Sequence, residues 1–302
     1  MLKIVILGSN GQLGSDLLQI LTTANLGQVI GLDRSQINAT DPELKLKFNA
    51  TCQDANYIIN CIATTNVDGC EDQPGLAFQV NSAFVLQLAQ FCQSQAITLL
   101  HISTDYVFDG THNHSYRETD HANPLNVYGL SKYAGELAVA RYAAKYFILR
   151  VSSLFGIAGA SGKGGNFVTT MLRLAQEKTS WSVIDDQITC PTHTLDVARA
   201  ILALIAQRVT EYGIYHCVSN SSCSWFEFAQ EILRQTSHDV TKIKPISYRD
   251  YQFKAVRPQY AVMDCAKLAK YYVLPSYQQA LSEYMKLNNY QKTPAGVAPV
   301  RV

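Results

Sequence analysis

The chain has 302 residues, room for one large core or for a domain with an appended lobe, because single cores stop growing near roughly 250 to 300 residues. Lys plus Arg number 25 against 24 for Asp plus Glu, so there is no field to gather nucleic acid or an anionic membrane, and a small anionic ligand needs local cations. Eight cysteines (Cys52, Cys61, Cys70, Cys92, Cys190, Cys217, Cys223 and Cys265), without a C-x-x-C pair, argue against disulfide scaffolds and zinc ribbons and for buried thiols in a reducing compartment.

Met1 to Leu7 is a short apolar run that meets Gly8 at once, too short for a signal-peptide core or a membrane span, so a cytoplasmic location is expected. KIVILG, QVIGLD, YIINCIA and ITLLHIS read as strands, with amphipathic helices near Leu13–Thr22 and Leu76–Ser94 between them. A polar stretch, THNHSYRETDHANP, ends at Pro124 and is followed by a long helical segment from Asn126 to Lys145 and a strand, YFILRVS. This β/α rhythm predicts a doubly wound parallel sheet, and strands without polar alternation fit a sheet covered on both faces. Residues 1–155 are read as a nucleotide-binding domain.

After Gly156 the pattern changes to a flexible IAGASGKGGN segment, a helix around Phe167–Gln176 and a shorter strand at WSVIDD, giving a smaller α/β lobe over 156–288. THTLDVARAILALIAQ reads as a helix capped by Thr192 or Thr194, and IYHCVS as a strand. Which lobe owns the helix near 192–208 stays open, and a return to the first domain would cross the boundary twice. Residues 289–302, with two prolines and little periodicity, are expected to form a surface or disordered tail.

Directly after the first strand, Gly8-Ser9-Asn10-Gly11-Gln12-Leu13-Gly14 opens a helix. Glycines there let the backbone turn and approach a pyrophosphate, and the helix N-terminus supplies N–H donors and a favourable dipole. The spacing is G-x-x-G-x-x-G, and its strand–turn–helix context makes it a Rossmann-type loop. About twenty residues on, Asp33 is placed to hold ribose hydroxyls, while Arg34 beside it suits a 2′-phosphate, so the choice between NADH and NADPH stays open.

In the long helix Tyr128 and Lys132 are four residues apart and share one face. A phenol beside an ammonium is expected to have a lowered pKa and to protonate a developing alkoxide, a contribution of about 10² to 10⁴ in rate. At the carboxyl end of the preceding strand, Thr104 or Ser103 is placed to hydrogen-bond the same oxygen.

GSNGQLG, NCIA, Val80-Asn81, STDYVFDG, NPLNVYGLSKYAGE, Asn166-Phe167 and DQITCPT occur in a familiar order and spacing. The chain resembles the extended short-chain reductases and, within them, the dTDP-4-dehydrorhamnose reductases, over about residues 1 to 285. The resemblance implies a dinucleotide held by Gly8, Asn10, Gly11, Gln12, Leu13 and Gly14, with Asp33 and Arg34 at the ribose and Asn38 near the adenine. The site continues through Cys61, Ala63 and Ser103 to Tyr128 and Lys132. It implies Thr104, Tyr128 and Lys132 as the catalytic set and reduction of the C4 ketone of dTDP-4-dehydro-β-L-rhamnose. Substrate positions would fall on Thr104, Asp105, Val107, Asn166, Phe167 and Arg257, the arginine suiting a diphosphate through its planar fork.

Two segments depart from the family pattern. Ala63-Thr64-Thr65-Asn66 stands where many relatives read Ala-Ala-Tyr-Thr, which changes one wall of the sugar pocket and keeps open a reductase or epimerase of another nucleotide sugar. Some relatives dimerise through magnesium held by glutamates. Here Asp16 follows the loop and His193-Thr194-Leu195 follows Pro191-Thr192, so no metal is expected there and the chain is read as a monomer or homodimer. The regulatory β subunit of methionine adenosyltransferase resembles the same family without turnover, but retention of both Tyr128 and Lys132 favours an enzyme.

Overall fold

The first apolar run forms β1 (Leu2–Leu7), whose successive side chains serve two cores. Val5 and Leu7 enter one cluster and Ile4 and Ile6 the other, which is why the strand has no polar alternation. The structure is a computed structural model that describes residues 1–159 and 165–290; part of the glycine-rich segment and the tail from 291 lie outside the described residues. The chain continues through α1 (Gln12–Thr23), β2 (Gly27–Leu32), α2 (Leu44–Cys52), β3 (Tyr57–Asn60), α3 (Val67–Asp72), α4 (Pro74–Phe78), α5 (Phe84–Ser94), β4 (Thr98–Thr104), α6 (Val127–Tyr142) and β5 (Tyr146–Val151).

Then follow β6 (Leu154–Phe155), α7 (Phe167–Glu177), β7 (Trp181–Ile184), β8 (Ile188–Thr189), β9 (Thr192–His193), α8 (Thr194–Ala206) and β10 (Gly213–His216). The chain ends with β11 (Cys223–Ser224), α9 (Trp225–Gln235), β12 (Ile243–Ile246), α10 (Ala266–Ala269) and α11 (Tyr277–Leu287). Six parallel strands run in the order β10-β5-β4-β3-β1-β2, so the chain reverses direction across the sheet beside β1, between β2 on one side and β3 on the other. In open α/β sheets that switch point, at the carboxyl ends of the strands, is where ligands bind. The doubly wound fold expected from the sequence is the fold observed.

Two of the later elements join this sheet. Strand β10 pairs with β5, and α8 buries Val197, Ala198, Ala200, Ile201 and Leu204 against Leu13, Leu17 and Leu21 of α1. The helix that the sequence left unassigned therefore packs on the nucleotide-binding side. Neither threonine caps it. Its N-cap is His193, without a side-chain bond, while Thr192 lies in β9 and Thr194 is the first helical residue, donating to the Phe155 carbonyl and to Asp16. A separate cluster, with Phe155, Val168, Phe228, Leu281 and Tyr284, forms the core of the remaining lobe.

The single helix expected over Leu76–Ser94 is α4 and α5 joined by a π-helical turn, Gln79–Ala83. π-turns recur at functional sites, and this one carries the buried Asn81. Its amide accepts from Thr64 N at 2.9 Å and donates to Thr64 O at 3.1 Å and Ser131 Oγ at 3.0 Å. One side chain thus ties the unusual Thr64 wall to the helix that carries Tyr128. Among the described residues no helix is long and apolar enough to cross a membrane.

Candidate active site

The glycine loop departs from the end of β1 because two of its positions exclude a side chain. Gly8 takes φ +78°, and a Cβ on Gly14 would stand 2.1 Å from the Gly8 carbonyl oxygen, so α1 is drawn against the loop. Gly11 N-caps α1 with no side-chain bond, and no acidic residue occupies the first turn. The first-turn N–H groups are left for an external acceptor, and the dipole there favours an anion. Gln12 Nε2 donates to Leu154 O at 3.1 Å, while its Oε1 is buried without a partner among the described residues. Leu13 turns its side chain into the core, so only its backbone faces the loop.

At the end of β2, Asp33 Oδ1 accepts from Ser35 N at 2.8 Å and from Ser35 Oγ at 2.6 Å, and these bonds hold its carboxyl below the usual range. Arg34 is exposed beside it. Asn38 uses Oδ1 on Thr40. Beyond β3, Cys61 and Ala63 are half-buried, and desolvation pushes the Cys61 thiol up to about 12, an inert group rather than a nucleophile.

The other half of the site comes from α6 and β4. Asn126 caps α6 by accepting from Gly129 N at 2.8 Å and anchors the helix start by donating to Val256 O at 2.7 Å. One turn in, Tyr128 is buried, with the Tyr106 ring edge-on at 5.5 Å between centroids. Burial pushes the phenol pKa up, and a hydrogen bond with Thr104 opposes the rise. This is opposite to the direction expected from the Tyr–Lys spacing: desolvation is the largest influence on the phenol, and it favours the neutral acid. Lys132 Nζ donates to the Ile102 carbonyl at 2.6 Å, and burial lowers its pKa to about 8 against the pull of Glu136.

The two strand-end hydroxyls are not equivalent. Ser103 Oγ donates to Glu136 at 2.5 Å, in a buried cluster where Arg150 grips the same carboxylate with Nε at 2.9 Å and Nη2 at 2.7 Å. Ser103 is therefore committed to the helix, which leaves Thr104 as the strand-end hydroxyl at the phenol. Thr104 Oγ1 donates to Asp105 at 3.0 Å and accepts from Tyr106 N at 3.2 Å. Asp105 is buried, takes a second bond from Ser152 Oγ at 2.7 Å, and is pushed up to about 6 by desolvation. Glu136, Arg150, Tyr106 and Ser152 were not singled out in the sequence. Of these, Tyr106 and Glu136 had a signal, their places inside the STDYVFDG and NPLNVYGLSKYAGE segments.

The remaining substrate positions lie in structural contacts. Val107 is buried in a cluster with Phe108 and Tyr116. Asn166 caps α7 in a capping box with Thr169 and donates to Gly156 O and Tyr284 Oη. Phe167 stacks on Phe228 with centroids 5.6 Å apart and lies against Trp225. Arg257 pairs with Asp68 at 2.9 Å and stacks on Phe253 at 3.9 Å, but its Nε is buried without a partner among the described residues. An open cavity of about 470 Å³ beside Asp196, Arg199, Tyr272 and Glu283 involves none of the residues singled out in the sequence.

A helix-borne Tyr–Lys pair set over strand ends next to a dinucleotide loop, with a lobe appended, is the arrangement of one class of protein, the extended short-chain reductases. Comparison with known proteins narrows the class. A family model described as the RmlD substrate binding domain matches residues 2–289, and the chain belongs to the dTDP-4-dehydrorhamnose reductase family. It is 35% identical over 293 residues to the dTDP-4-dehydrorhamnose reductase of Aggregatibacter actinomycetemcomitans, covering 93% of this chain and 97% of that one. It is 33% identical to the spore coat polysaccharide biosynthesis protein SpsK of Bacillus subtilis, over 95% of this chain and 98% of the relative.

Among solved structures, a dTDP-4-dehydrorhamnose reductase from Bacillus anthracis in complex with NADP superposes with TM-score 0.87 at 34% identity, over 95% of this chain and 100% of that one. The UDP-glucose 4-epimerase of Thermus thermophilus shares the fold, with TM-score 0.79 at 17% identity over 94% of this chain and 98% of that one.

Proposed function

We propose that the protein reduces the C4 ketone of dTDP-4-dehydro-β-L-rhamnose to dTDP-β-L-rhamnose with NADPH. The observation that carries this reading is the buried Tyr128 phenol, held in its acid form with Thr104 beside it at the switch-point end of the sheet. The names of the relatives, several of them dTDP-4-dehydrorhamnose reductases, supply the sugar.

The loop fits a dinucleotide on its own terms: uncapped N–H groups at α1, a Gly8–Gly14 approach that a Cβ would block, and an unpartnered Gln12 Oε1. Gly8, Asn10, Gly11, Gln12, Leu13 and Gly14 would hold the pyrophosphate, with Asp33, Arg34 and Asn38 at the adenosine end and Cys61, Ala63, Ser103 and Lys132 lining the path to the nicotinamide. NADPH is preferred over NADH because Ser35 occupies Asp33 Oδ1 and Arg34 stands free as a cation for a 2′-phosphate. The bound dinucleotide supplies the hydride.

Everything else falls to the chain's own residues. Tyr128 gives its proton to the sugar oxygen as negative charge develops there. Lys132 stabilises the phenolate left behind, and with a pKa of about 8 it is mostly charged at neutral pH. Thr104, the strand-end hydroxyl hydrogen-bonded to the phenol, fixes its direction. Arg257 contacts the diphosphate through its unpaired Nε.

The dinucleotide domain comprises residues 1–155 with α8, β10 and α10, whose Leu268 packs in the same core, and the remaining elements of 156–288 form the substrate lobe. All eight cysteines are free thiols, which supports a cytoplasmic location, and the near-zero net charge gives no means of gathering nucleic acid. The test is loss of absorbance at 340 nm when NADPH and a dTDP-4-keto-6-deoxysugar are mixed with the protein. No oxidation with the dTDP sugar, but turnover with a UDP or GDP sugar, would move the assignment to another nucleotide sugar.

A further inference from the structure

The segment between β4 and α6 contains a His-x-His pair with no role in the chemistry above. It folds back so that one ligand atom each from His112, His114 and Asp120 lie within 4.8 Å of one another. Three features arrange these side chains as ligands. The His112 ring is stacked on Tyr116, with centroids 4.3 Å apart and planes at 14°, and Tyr116 is stacked in turn on the buried Phe108, so the ring cannot swing away. His114 Nδ1 lies 3.2 Å from the Ser115 carbonyl oxygen. A carbonyl only accepts, so that nitrogen carries the proton and Nε2 keeps its lone pair, the outer-shell arrangement that orients metal-binding histidines. Asp120 Oδ2 accepts from Arg117 N at 2.7 Å, which fixes the carboxylate.

A further observation points to a missing partner. His112 Nδ1 is buried without a hydrogen-bond partner among the described residues. A buried polar atom left unsatisfied calls for a water or an ion. The other such group among the described residues, His193, Asp196 and Glu283, is already served by a cation, because the Arg199 guanidinium bonds Asp196 at 2.9 Å and Glu283 at 2.6 Å. At His112, His114 and Asp120 no salt bridge from a cationic side chain is found among the described residues.

We infer that His112, His114 and Asp120 form a binding site for a divalent transition metal of the zinc type, apart from the reductase site. Two imidazoles and a carboxylate suit Zn²⁺, Co²⁺ or Ni²⁺ over Mg²⁺ or Ca²⁺, which want oxygen alone. A rotation of the exposed His114 closes the gap to the roughly 3.4 Å that separates tetrahedral ligands about 2.1 Å from their metal, and water completes the shell. The metal would clasp residues 112 and 120 together. It would thereby brace the Tyr116–Phe108 stack, next in the chain to Asp109, which accepts the Tyr116 hydroxyl proton at 2.8 Å.

The test uses the full chain without a histidine tag, stripped with a chelator and titrated with Co²⁺ and then Zn²⁺. One equivalent of Co²⁺ is expected to give the visible absorption of a tetrahedral site, to be displaced by Zn²⁺, and to raise Tm. His114→Gln and His112→Gln should each weaken Co²⁺ binding at least tenfold and abolish the Tm rise, and His114→Gln should keep its reductase activity. No saturable Co²⁺ binding by the wild type would overturn the proposal. So would a titration unchanged in the His112→Gln, His114→Gln double variant, or binding lost in His193→Gln and retained in His114→Gln.

Discussion

The two halves of the candidate site treat their polar residues in opposite ways. On the dinucleotide side, groups are left with something to give: the first turn of α1 is uncapped, Gln12 Oε1 has no partner, and the Tyr128 phenol keeps its proton. Of the three candidate residues on the lobe side, Asn166 is consumed by a helix cap and Phe167 by an aromatic stack, while Arg257 keeps an Nε without a partner among the described residues. Unspent hydrogen-bonding capacity at a buried position is what a ligand can use, and spent capacity is what a fold uses. The same family pattern thus covers residues that wait for a partner and residues that already have one.

The sharpest way to break that contrast is Tyr128→Phe. It removes the proton and leaves the ring against Tyr106, so kcat should fall by about 10² to 10⁴ with Tm nearly unchanged. Steady-state rates at 340 nm beside a thermal melt decide it, and retained turnover would put the acid elsewhere. Glu136→Ala tests the support beneath. It strands Arg150 as a buried, unpaired cation and leaves Ser103 without its acceptor. Breaking a buried pair in this way costs about 3 to 5 kcal/mol. Denaturant unfolding should show the loss, and a change under about 1 kcal/mol would mean that water reaches the pair.

The legible part of this molecule is the part that sequence determines locally. A strand, a glycine turn and a helix follow one another in Leu2–Thr23, and i, i+4 spacing on α6 fixes the Tyr128–Lys132 face, so both could be placed without coordinates. What was hidden depends on burial and distant partners. The rise in the Tyr128 pKa comes from desolvation, which no spacing reports. The commitment of Ser103 rests on Glu136, thirty-three residues along the chain, and on Arg150 from the next strand. The π-turn at Gln79–Ala83 keeps helical composition, and α8 returns to the first sheet through apolar packing that either lobe could have offered.

Asp105 stands where the contrast is finest, because it is both buried and bonded. Its carboxyl is raised from 3.8 to about 6, so between these values the folded state holds the proton more tightly than the unfolded state. Stability should therefore fall as pH rises through that window and level off above it, by at most about 3 kcal/mol over some two units. Asp105→Asn removes the titration and keeps an acceptor for Thr104. A melt series from pH 4 to pH 7 should be flatter for the variant, and parallel curves would show that Asp105 is solvated.

Asn166→Ala carries the smallest expected effect and decides the lobe side. If the residue serves the fold, losing the cap on α7 should cost about 0.5 to 2 kcal/mol, and the donors to Gly156 O and Tyr284 Oη go with it. KM for the sugar nucleotide should then stay within about twofold, because the amide has no unspent donor to offer a ligand. A raised KM with an unchanged melting curve would reverse the assignment. It would mean that the substrate displaces the bonds to Gly156 and Tyr284 when it binds, and that a filled hydrogen-bond inventory in the free protein does not exclude a binding role.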